Sequence, residues 1–151
     1  MDHVAIMDPK QGLISKILSG EKTIESRWYK MRVAPWGRIG AGDVVYFKES
    51  GKPVTAKAKV ATVQQCDHPT EAELVKLIAQ YGGSPGICGV MEPREWLNWA
   101  KERPYVVLVF LKEAEVVQPF LINKTGFGSA CAWLSVGDIN RVRLQLADKA
   151  E

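Results

Sequence analysis

The feature of this sequence that most restricts its fold is the excess of strand-forming over helix-forming segments. Segments rich in β-branched and aromatic residues alternate with turn residues, and these predict strands at His3–Met7, Lys22–Tyr29, Val44–Lys48, Val54–Gln65, Tyr105–Leu111, Glu115–Phe120 and Ile139–Leu146. A doubly wound sheet needs a helix between most of its strands, and too few helical segments are present for that. The pattern predicts an α+β fold, mainly β: a small β-barrel with short helices covering its openings.

Three short helices are predicted from their caps and apolar spacing. The first begins at Asp8-Pro9 and stops at Gly20. The second begins at the capping box Thr70-Glu71-Ala72-Glu73 and ends at Gly82-Gly83, and the third opens at Glu92-Pro93. The segments 31–42, 83–89 and 123–129 read as loops and 135–138 reads as a turn.

The composition indicates one ordinary globular domain over residues 1–151, with residues 146–151 as a frayed tail. Apolar residues make up 46% of the 151, charged residues 25%, and the formal net charge is +3. That charge permits a phosphate-rich partner without requiring one. Because no apolar run approaches the roughly 20 residues that span a bilayer, and no secretory signal is visible, we expect a cytoplasmic protein without membrane contact.

The cysteines and histidines predict neither a disulfide nor a metal site. Cys66, Cys88 and Cys131 are odd in number and far apart, as in a protein of a reducing compartment. Cys66 and His68 are close in sequence, but the further ligands that a zinc site needs at recognisable spacing are absent. We expect no metal and no cofactor.

The strongest local motif is Gly20-Glu21-Lys22-Thr23-Ile24-Glu25-Ser26-Arg27, with the spacing G-x-K-x-x-E-x-R. The glycine ends the first helix and permits a sharp turn, so Lys22 emerges at a helix–strand junction. Side chains two apart in a strand share a face, so Glu25 and Arg27 are expected to be neighbours, about 7 Å apart between Cα atoms. Arg27 could then offer a planar fork to a phosphate or a base edge. The alternative is a solvated strand that carries an internal ion pair.

Two further groups of residues extend this candidate site. Trp36 lies among the basic residues Arg32 and Arg38, and aromatic rings interleaved with arginines can stack bases while the charges hold phosphates. The loop 123–129 combines Lys124 with two glycines and two hydroxyl side chains, as phosphate contacts often require, although it lacks the spacing of a Walker loop. The predicted ligand-binding residues are Lys22, Glu25, Arg27, Arg32, Trp36, Arg38 and Lys124.

The motif and its surroundings resemble the ASCH domains, the activating-signal-cointegrator homology family. Gly20, Lys22, Glu25 and Arg27 match the family signature, the apolar helix before it matches in place, and Gly42-Asp43-Val44-Val45 resembles the family's usual strand entry. The resemblance covers residues 3 to about 65. It implies a PUA-like β-barrel whose mouth carries the motif residues, and a role with RNA or a nucleotide-related ligand.

Some ASCH proteins are hydrolases that remove an acyl group from N4-acetylcytidine, and the match to that branch is partial. Lys22 corresponds to the lysine of that branch, but Glu25 stands where it has a threonine. A carboxylate cannot replace a hydroxyl nucleophile without changing the chemistry. The distant acid of that branch could be Glu71, Glu73 or Glu92, and the sequence selects none of them.

Three functional hypotheses follow from these residues and from the resemblance. The first is a module that binds RNA or a modified nucleotide or nucleoside in a cleft lined by the motif. The second is a small hydrolase, a ribonuclease or an N4-acetylcytidine-type amidohydrolase, with Lys22 and Glu25 in proton transfer. The third is a non-enzymatic protein-interaction domain, which an exposed apolar patch around Trp96 and Trp99 would favour.

Overall fold

A computed structural model of the chain describes residues 1–82, 91–128 and 131–144. Within these ranges the chain forms one curled, six-stranded half-barrel sheet and three short α-helices. The strands are β1 (Asp2–Met7), β2 (Ile24–Tyr29), β3 (Val44–Glu49), β4 (Val54–Asp67), β5 (Tyr105–Phe120) and β6 (Trp133–Gly137). Their order in the sheet is β2-β5-β4-β3-β1-β6, so β2 and β6 are the two outermost strands. All neighbours are antiparallel except β1 and β3. The α+β, mainly β prediction is confirmed.

The helices form where the caps predict them. Asp8 accepts a hydrogen bond from the backbone N–H of Lys10, but a 3₁₀ turn at Pro9–Gln11 comes first and α1 occupies only Leu13–Ser19. Helix α2 (Glu71–Tyr81) begins with the complete capping box of Thr70 and Glu73, and α3 (Pro93–Lys101) follows Glu92. No helix within the described ranges is long and apolar enough to cross a membrane.

The sheet buries both of its faces, and this separates the side chains into distinct clusters. We call the face that α1 covers the inner face; Ile14 and Ile17 of α1 pack there against Phe47, Val109 and other residues of five strands. On the outer face, α2 and α3 pack against β2 and β5, with Trp28 and Trp96 at the centre. A third cluster, which includes Val54, Phe120 and Leu134, lies where β1, β4, β5 and β6 meet the segment after β6.

A buried polar network joins β1, β6 and the entry to β3. The ring of His3 is wholly buried; its Nε2 lies 2.8 Å from a carboxylate oxygen of Asp43, and its Nδ1 lies 3.0 Å from the hydroxyl oxygen of Ser135. The indole N–H of Trp133 donates to Nδ1 at 3.1 Å, so Nδ1 is an acceptor and the ring proton sits on Nε2. Burial lowers the pKa of His3, although the nearby Asp43 carboxylate opposes the shift.

Two sequence predictions near the C-terminal end are wrong. Residues 135–137, predicted as part of a turn, lie in β6, which begins at the buried Trp133. In the strand predicted at Ile139–Leu146, residues Ile139–Arg141 form a 3₁₀ turn instead, because the side chain of Asp138 accepts from the N–H of Asn140 and closes the backbone there. Residues 145 and 146 lie outside the described ranges. After that turn, Arg143 makes a single bridge to Ile122.

The separation predicted between two strands in the region 105–120 is also wrong. Tyr105–Leu111 and Glu115–Phe120 are two halves of the continuous strand β5. Glu113, which has a positive φ of 52°, lies where the register with β4 shifts, so the strand bends without losing its partner. The predicted loop at 83–89, Cys88, Ser129 and the tail at 146–151 lie outside the described residues.

Candidate functional site

The motif strand β2 carries its charged residues on the inner face. Glu25 and Arg27 lie directly opposite Val109 and Val107 of β5, both of which belong to the inner cluster. Trp28 lies on the outer face and stacks edge-on against Trp96, with 4.9 Å between ring centroids. The alternation that places Glu25 and Arg27 together and assigns Trp28 to the core is therefore present in the structure.

Arg27 bridges the gap between the two open edges of the sheet. Its guanidinium donates to the carbonyl oxygen of Ala132, just before β6, at 3.2 Å and to that of Ile6 in β1 at 3.4 Å. The guanidinium carbon also lies 5.2 Å from the centre of the Trp133 ring, a cation–π distance. Since both terminal nitrogens are occupied by the protein, Arg27 has the contacts of a structural brace at the barrel seam.

Glu25 is a buried carboxylate, and one of its two oxygens has no hydrogen-bond partner among the described residues. Its Oε1 lies 3.6 Å from Nε of Arg27, and its side chain is 9% exposed. Its Oε2 has no hydrogen-bond partner among the described residues, and neither does Nε of Arg27. A buried acceptor without a donor costs roughly 1–3 kcal/mol, so a donor brought to this oxygen would stabilise the folded chain.

A cleft of about 290 Å³ lies beside β2 at the seam. Its walls come from the end of β1, the start of α1, β2, α3 and the segment before β6; they include Met7, Asp8, Leu13, Glu25, Arg27, Trp28, Tyr29, Trp99 and Ala132. Burial raises the pKa of the Tyr29 phenol, although the nearby Arg27 opposes the shift, so the hydroxyl stays protonated and can donate at neutral pH. The cleft thus combines aromatic and apolar walls with a few polar groups, as small-molecule sites usually do.

Lys22 is placed differently from Glu25 and Arg27. It is buried, and its Nζ donates to the carbonyl oxygen of Ile24 at 2.7 Å. It lines a separate cavity of about 210 Å³ between α1 and β5. Its Nζ lies more than 4 Å from the Glu25 carboxylate oxygens, since the two make no ion pair. The pair suggested for proton transfer is therefore not in direct contact in this structure.

The predicted rim residues of the β2–β3 loop meet the sheet at Tyr105. Trp36 packs edge-on against this ring at 5.4 Å between centroids, and the guanidinium carbon of Arg32 lies 5.4 Å from it. Tyr105 is also the cross-strand partner of Tyr29, which lines the cleft. Arg32 pairs with Asp67 at 3.0 Å, and Arg38 is exposed on the same loop. Arg32 and Trp36 are thus joined to the cleft by two tyrosines.

Lys124 belongs to another part of the surface. Its positive charge acts on Lys48 of β3, whose pKa is lowered first by burial and then by this repulsion. Lys48 is not among the residues predicted from the sequence. Its position could have indicated it, because Lys48 directly follows the apolar run Val44-Val45-Tyr46-Phe47.

The distant acids considered for a hydrolase have structural partners or lie in solvent. Glu73 closes the capping box with Thr70, and Glu71 pairs with Lys101 at 3.0 Å. Both are exposed at the start of α2, which packs on the outer face and not on the face of Glu25. Glu92 is exposed where α3 begins. None of the three lines the cleft beside β2.

Comparison with known proteins identifies the fold. No family model and no curated protein matches the sequence. Among solved structures, the chain is similar to an ASCH protein from Zymomonas mobilis, with a TM-score of 0.60 at 15% sequence identity, over 99% of this chain and 91% of that one. Two point mutants of the same protein match equally, with TM-scores of 0.60 and 0.59 at 14% and 15% identity, over 94% and 92% of those chains. The chain has the ASCH fold, a PUA-like α+β architecture.

Proposed function

We propose that this ASCH-fold chain binds RNA or a modified nucleotide or nucleoside, and that one base enters the cleft beside β2. The observation that supports this most directly is Glu25, a carboxylate with a nine-tenths-buried side chain that lines an aromatic-walled cleft and whose Oε2 has no hydrogen-bond partner among the described residues. Bases and riboses offer N–H and O–H donors, and the flat faces of bases pack well on aromatic rings.

The size of the cleft favours a single base or nucleoside over a duplex. About 290 Å³ lies at the lower end of the usual range for ligand sites, a volume that suits one base or nucleoside and not a helix of nucleic acid. A base held here would reach Glu25 with its donor groups. The Tyr29 hydroxyl would be available to an acceptor on the same ligand.

The rim supports a single strand that leaves the cleft along the sheet. From Tyr29 the surface continues to Tyr105, Trp36 and Arg32. Aromatic rings with arginines beside them bind single-stranded nucleic acid through stacking and phosphate contacts. Arg38, exposed on the same loop, adds a further positive charge.

The other two hypotheses have less support. A hydrolase that uses Lys22 and Glu25 in proton transfer requires the two groups to approach, and they are not in contact. A protein-interaction surface around Trp96 and Trp99 requires both rings to be exposed, but Trp96 is 1% exposed and packs between α3 and β2.

The test is a titration of labelled single-stranded RNA, followed by fluorescence anisotropy, with wild type and Glu25→Gln. Glutamine keeps the size of the side chain but removes the charge, so we expect affinity to fall by about 10- to 100-fold, the value of one charge-assisted hydrogen bond. Glu115→Gln is the matched control, because Glu115 is exposed in a surface ion pair. Equal affinities for wild type and Glu25→Gln would refute binding in this cleft.

Free nucleosides added as competitors measure how much of the ligand the cleft holds. If one base occupies it, a nucleoside should displace the labelled RNA in wild type and should do so less effectively in Glu25→Gln. Arg27→Ala is a poor probe for this purpose, since loss of the brace would change the fold and the site together.

A further inference from the structure

The buried imidazole of His3 lies between polar groups from the entry to β3 and from β6. Asp43 accepts from its Nε2 at 2.8 Å, and the side chains of Ser135 and Trp133 contact its Nδ1 at 3.0 and 3.1 Å. Ser135 is the cross-strand neighbour of His3, so the pairing of β1 with β6 fixes this contact. Both nitrogens of the wholly buried ring therefore have partners inside the protein.

Charged groups act on His3 from its own strand and from β3. The carboxylates of Asp43 and Asp2 favour the protonated ring, and the amino group of Met1, 3.2 Å from Oδ1 of Asp43, disfavours it. Asp2 also accepts a hydrogen bond from the N–H of Ile139. Burial outweighs the carboxylates, so the pKa of His3 lies below the usual histidine value of 6.5. The ring is therefore neutral at neutral pH and takes up a proton only in more acidic solution.

The two donors on Nδ1 differ in how they respond to a proton there. The hydroxyl of Ser135 can rotate and accept a hydrogen bond, because an O–H group is both donor and acceptor. The indole N–H of Trp133 can only donate, and Nδ1 of His3 is the acceptor that the described residues give it. A proton on Nδ1 would therefore face this N–H, donor against donor. A buried donor without an acceptor is costly, so the protonated ring favours a different position of the Trp133 side chain.

The Trp133 side chain is also the support on which Arg27 lies. Its ring is 1% exposed, and the guanidinium carbon of Arg27 lies 5.2 Å from its centre. The carbonyl oxygen of Ala132 accepts from the N–H of Ile6 at 2.9 Å as well as from Arg27, so the backbone before β6 is tied to β1. The side chain of Trp133, and not the backbone before it, is then the part that can respond to a proton on His3.

We propose that His3 is a positioning residue for the cleft beside β2, and that its protonation loosens the seam. The neutral ring holds Trp133 against Arg27, and the protonated ring releases it. Arg27 lines the cleft, so the cleft loses part of its support and ligand affinity falls on acidification. The inference rests on the proposed function only for this effect on binding, because the response of Trp133 to pH needs no ligand.

The first experiment follows the five indole N–H groups by nuclear magnetic resonance, in the full chain without ligand. Trp133→Phe identifies the signal of Trp133, and the ring nitrogens of the two histidines report their own protonation. Between about pH 7.5 and about pH 5, the Trp133 signal should shift with the same midpoint as the ring of His3. The signals of Trp28 and Trp96, which belong to the outer cluster, should stay unchanged.

His3→Gln and His68→Gln form a matched pair, since the chain has two histidines and the side chain of His68 is 66% exposed. Glutamine keeps a donor and an acceptor but does not titrate, so the Trp133 signal should become independent of pH in His3→Gln alone. A Trp133 signal that follows the ring of His68, or that stays constant until the whole chain unfolds, would overturn the inference. If His3→Gln does not fold, the midpoints of Trp133 and of the two histidine rings in wild type decide the question.

The second experiment measures the affinity for labelled single-stranded RNA at both ends of this pH range. It compares His68→Gln with the double variant His3→Gln/His68→Gln, so that the exposed histidine does not contribute and protonation of the RNA affects both proteins equally. Acidification should weaken binding by His68→Gln about 3- to 30-fold more than binding by the double variant, the value of one partly desolvated cation–π contact.

The outcomes separate this inference from the proposed function. If RNA does not bind at any pH, the proposed function fails, and the indole signals still test the response of Trp133. If RNA binding depends on Glu25 but has the same pH dependence with and without His3, the proposed function stands and the positioning role of His3 fails.

Discussion

Replacing Arg27 by methionine tests the inference that this residue seals the barrel. Methionine fills a similar volume but cannot donate to the carbonyl oxygens of Ala132 and Ile6 across the seam. It also leaves the carboxylate of Glu25, which is 9% exposed, without a cation. Removing one partner of a buried pair typically costs about 3–5 kcal/mol, a large fraction of the roughly 5–15 kcal/mol that stabilises a typical domain.

The measurement is urea unfolding followed by circular dichroism, with free energies extrapolated linearly to water. Wild type, Arg27→Met, Glu25→Gln and the double variant form a double-mutant cycle. Glu25→Gln should cost about 1 kcal/mol, because Arg27 keeps its carbonyl partners and its contact with Trp133. The double variant should be more stable than Arg27→Met alone, since its buried charge is gone, and the coupling should be about 1–3 kcal/mol.

Two results would refute this reasoning. A loss below about 1 kcal/mol for Arg27→Met would mean that the guanidinium is a solvated surface group, as exposed ion pairs usually are. Additive effects in the double variant would mean that Glu25 and Arg27 do not depend on one another. Lys101→Met, at an exposed ion pair with Glu71, serves as the control and should change stability by less than about 1 kcal/mol.

Three further changes should alter stability in defined directions, each measured by urea unfolding. The pKa of His3 is lowered in the folded state, so below the usual histidine pKa of 6.5 the unfolded chain binds more protons than the folded one. Stability should therefore fall on acidification from pH 7.5 to 5.5, by at most about 1.4 kcal/mol per pH unit. A flat profile would contradict the buried neutral ring. Thr70→Ala removes the cap that accepts from the N–H of Glu73 and should cost about 1 kcal/mol; Thr125→Ala, at an exposed loop turn, should cost less. Gly20→Ala places a side chain at φ 83°, where its Cβ would meet no neighbour, and should lower the free energy of unfolding by roughly 1–2 kcal/mol because of the left-handed backbone. An unchanged free energy of unfolding would show that the turn before the motif can relax.

The sequence carried most of the information needed to predict the elements. Alternation in β2 places Glu25 and Arg27 on one face because that strand is paired along its whole length. The capping box of Thr70 identified the start of α2 because its hydrogen bonds are local. Predictions failed where distant residues decide the structure. The region 135–137 is a strand only because β1, more than 130 positions earlier, lies beside it.

The site was predicted less completely for the same reason. The pattern indicates that Glu25 and Arg27 are neighbours, but not that the guanidinium is used by Ala132 and Ile6, which come from two other segments of the chain. Lys124 was grouped with the cleft because its loop has the composition of a phosphate-binding loop. The loop instead packs through Phe127 on the third cluster, and Lys124 does not line the cleft; local composition does not determine that placement.

The position of β1 has a consequence for how the chain is made. β1 is synthesised first and can pair with β3 early, but its other neighbour, β6, begins only at Trp133. At roughly 5–20 residues per second, a ribosome needs about 6–25 s to cover that distance. During that interval the apolar edge formed by Val4, Ala5 and Ile6 is open, and open edges invite pairing with other nascent chains. A product truncated before Trp133 would therefore be an aggregation-prone fragment and not a smaller working domain.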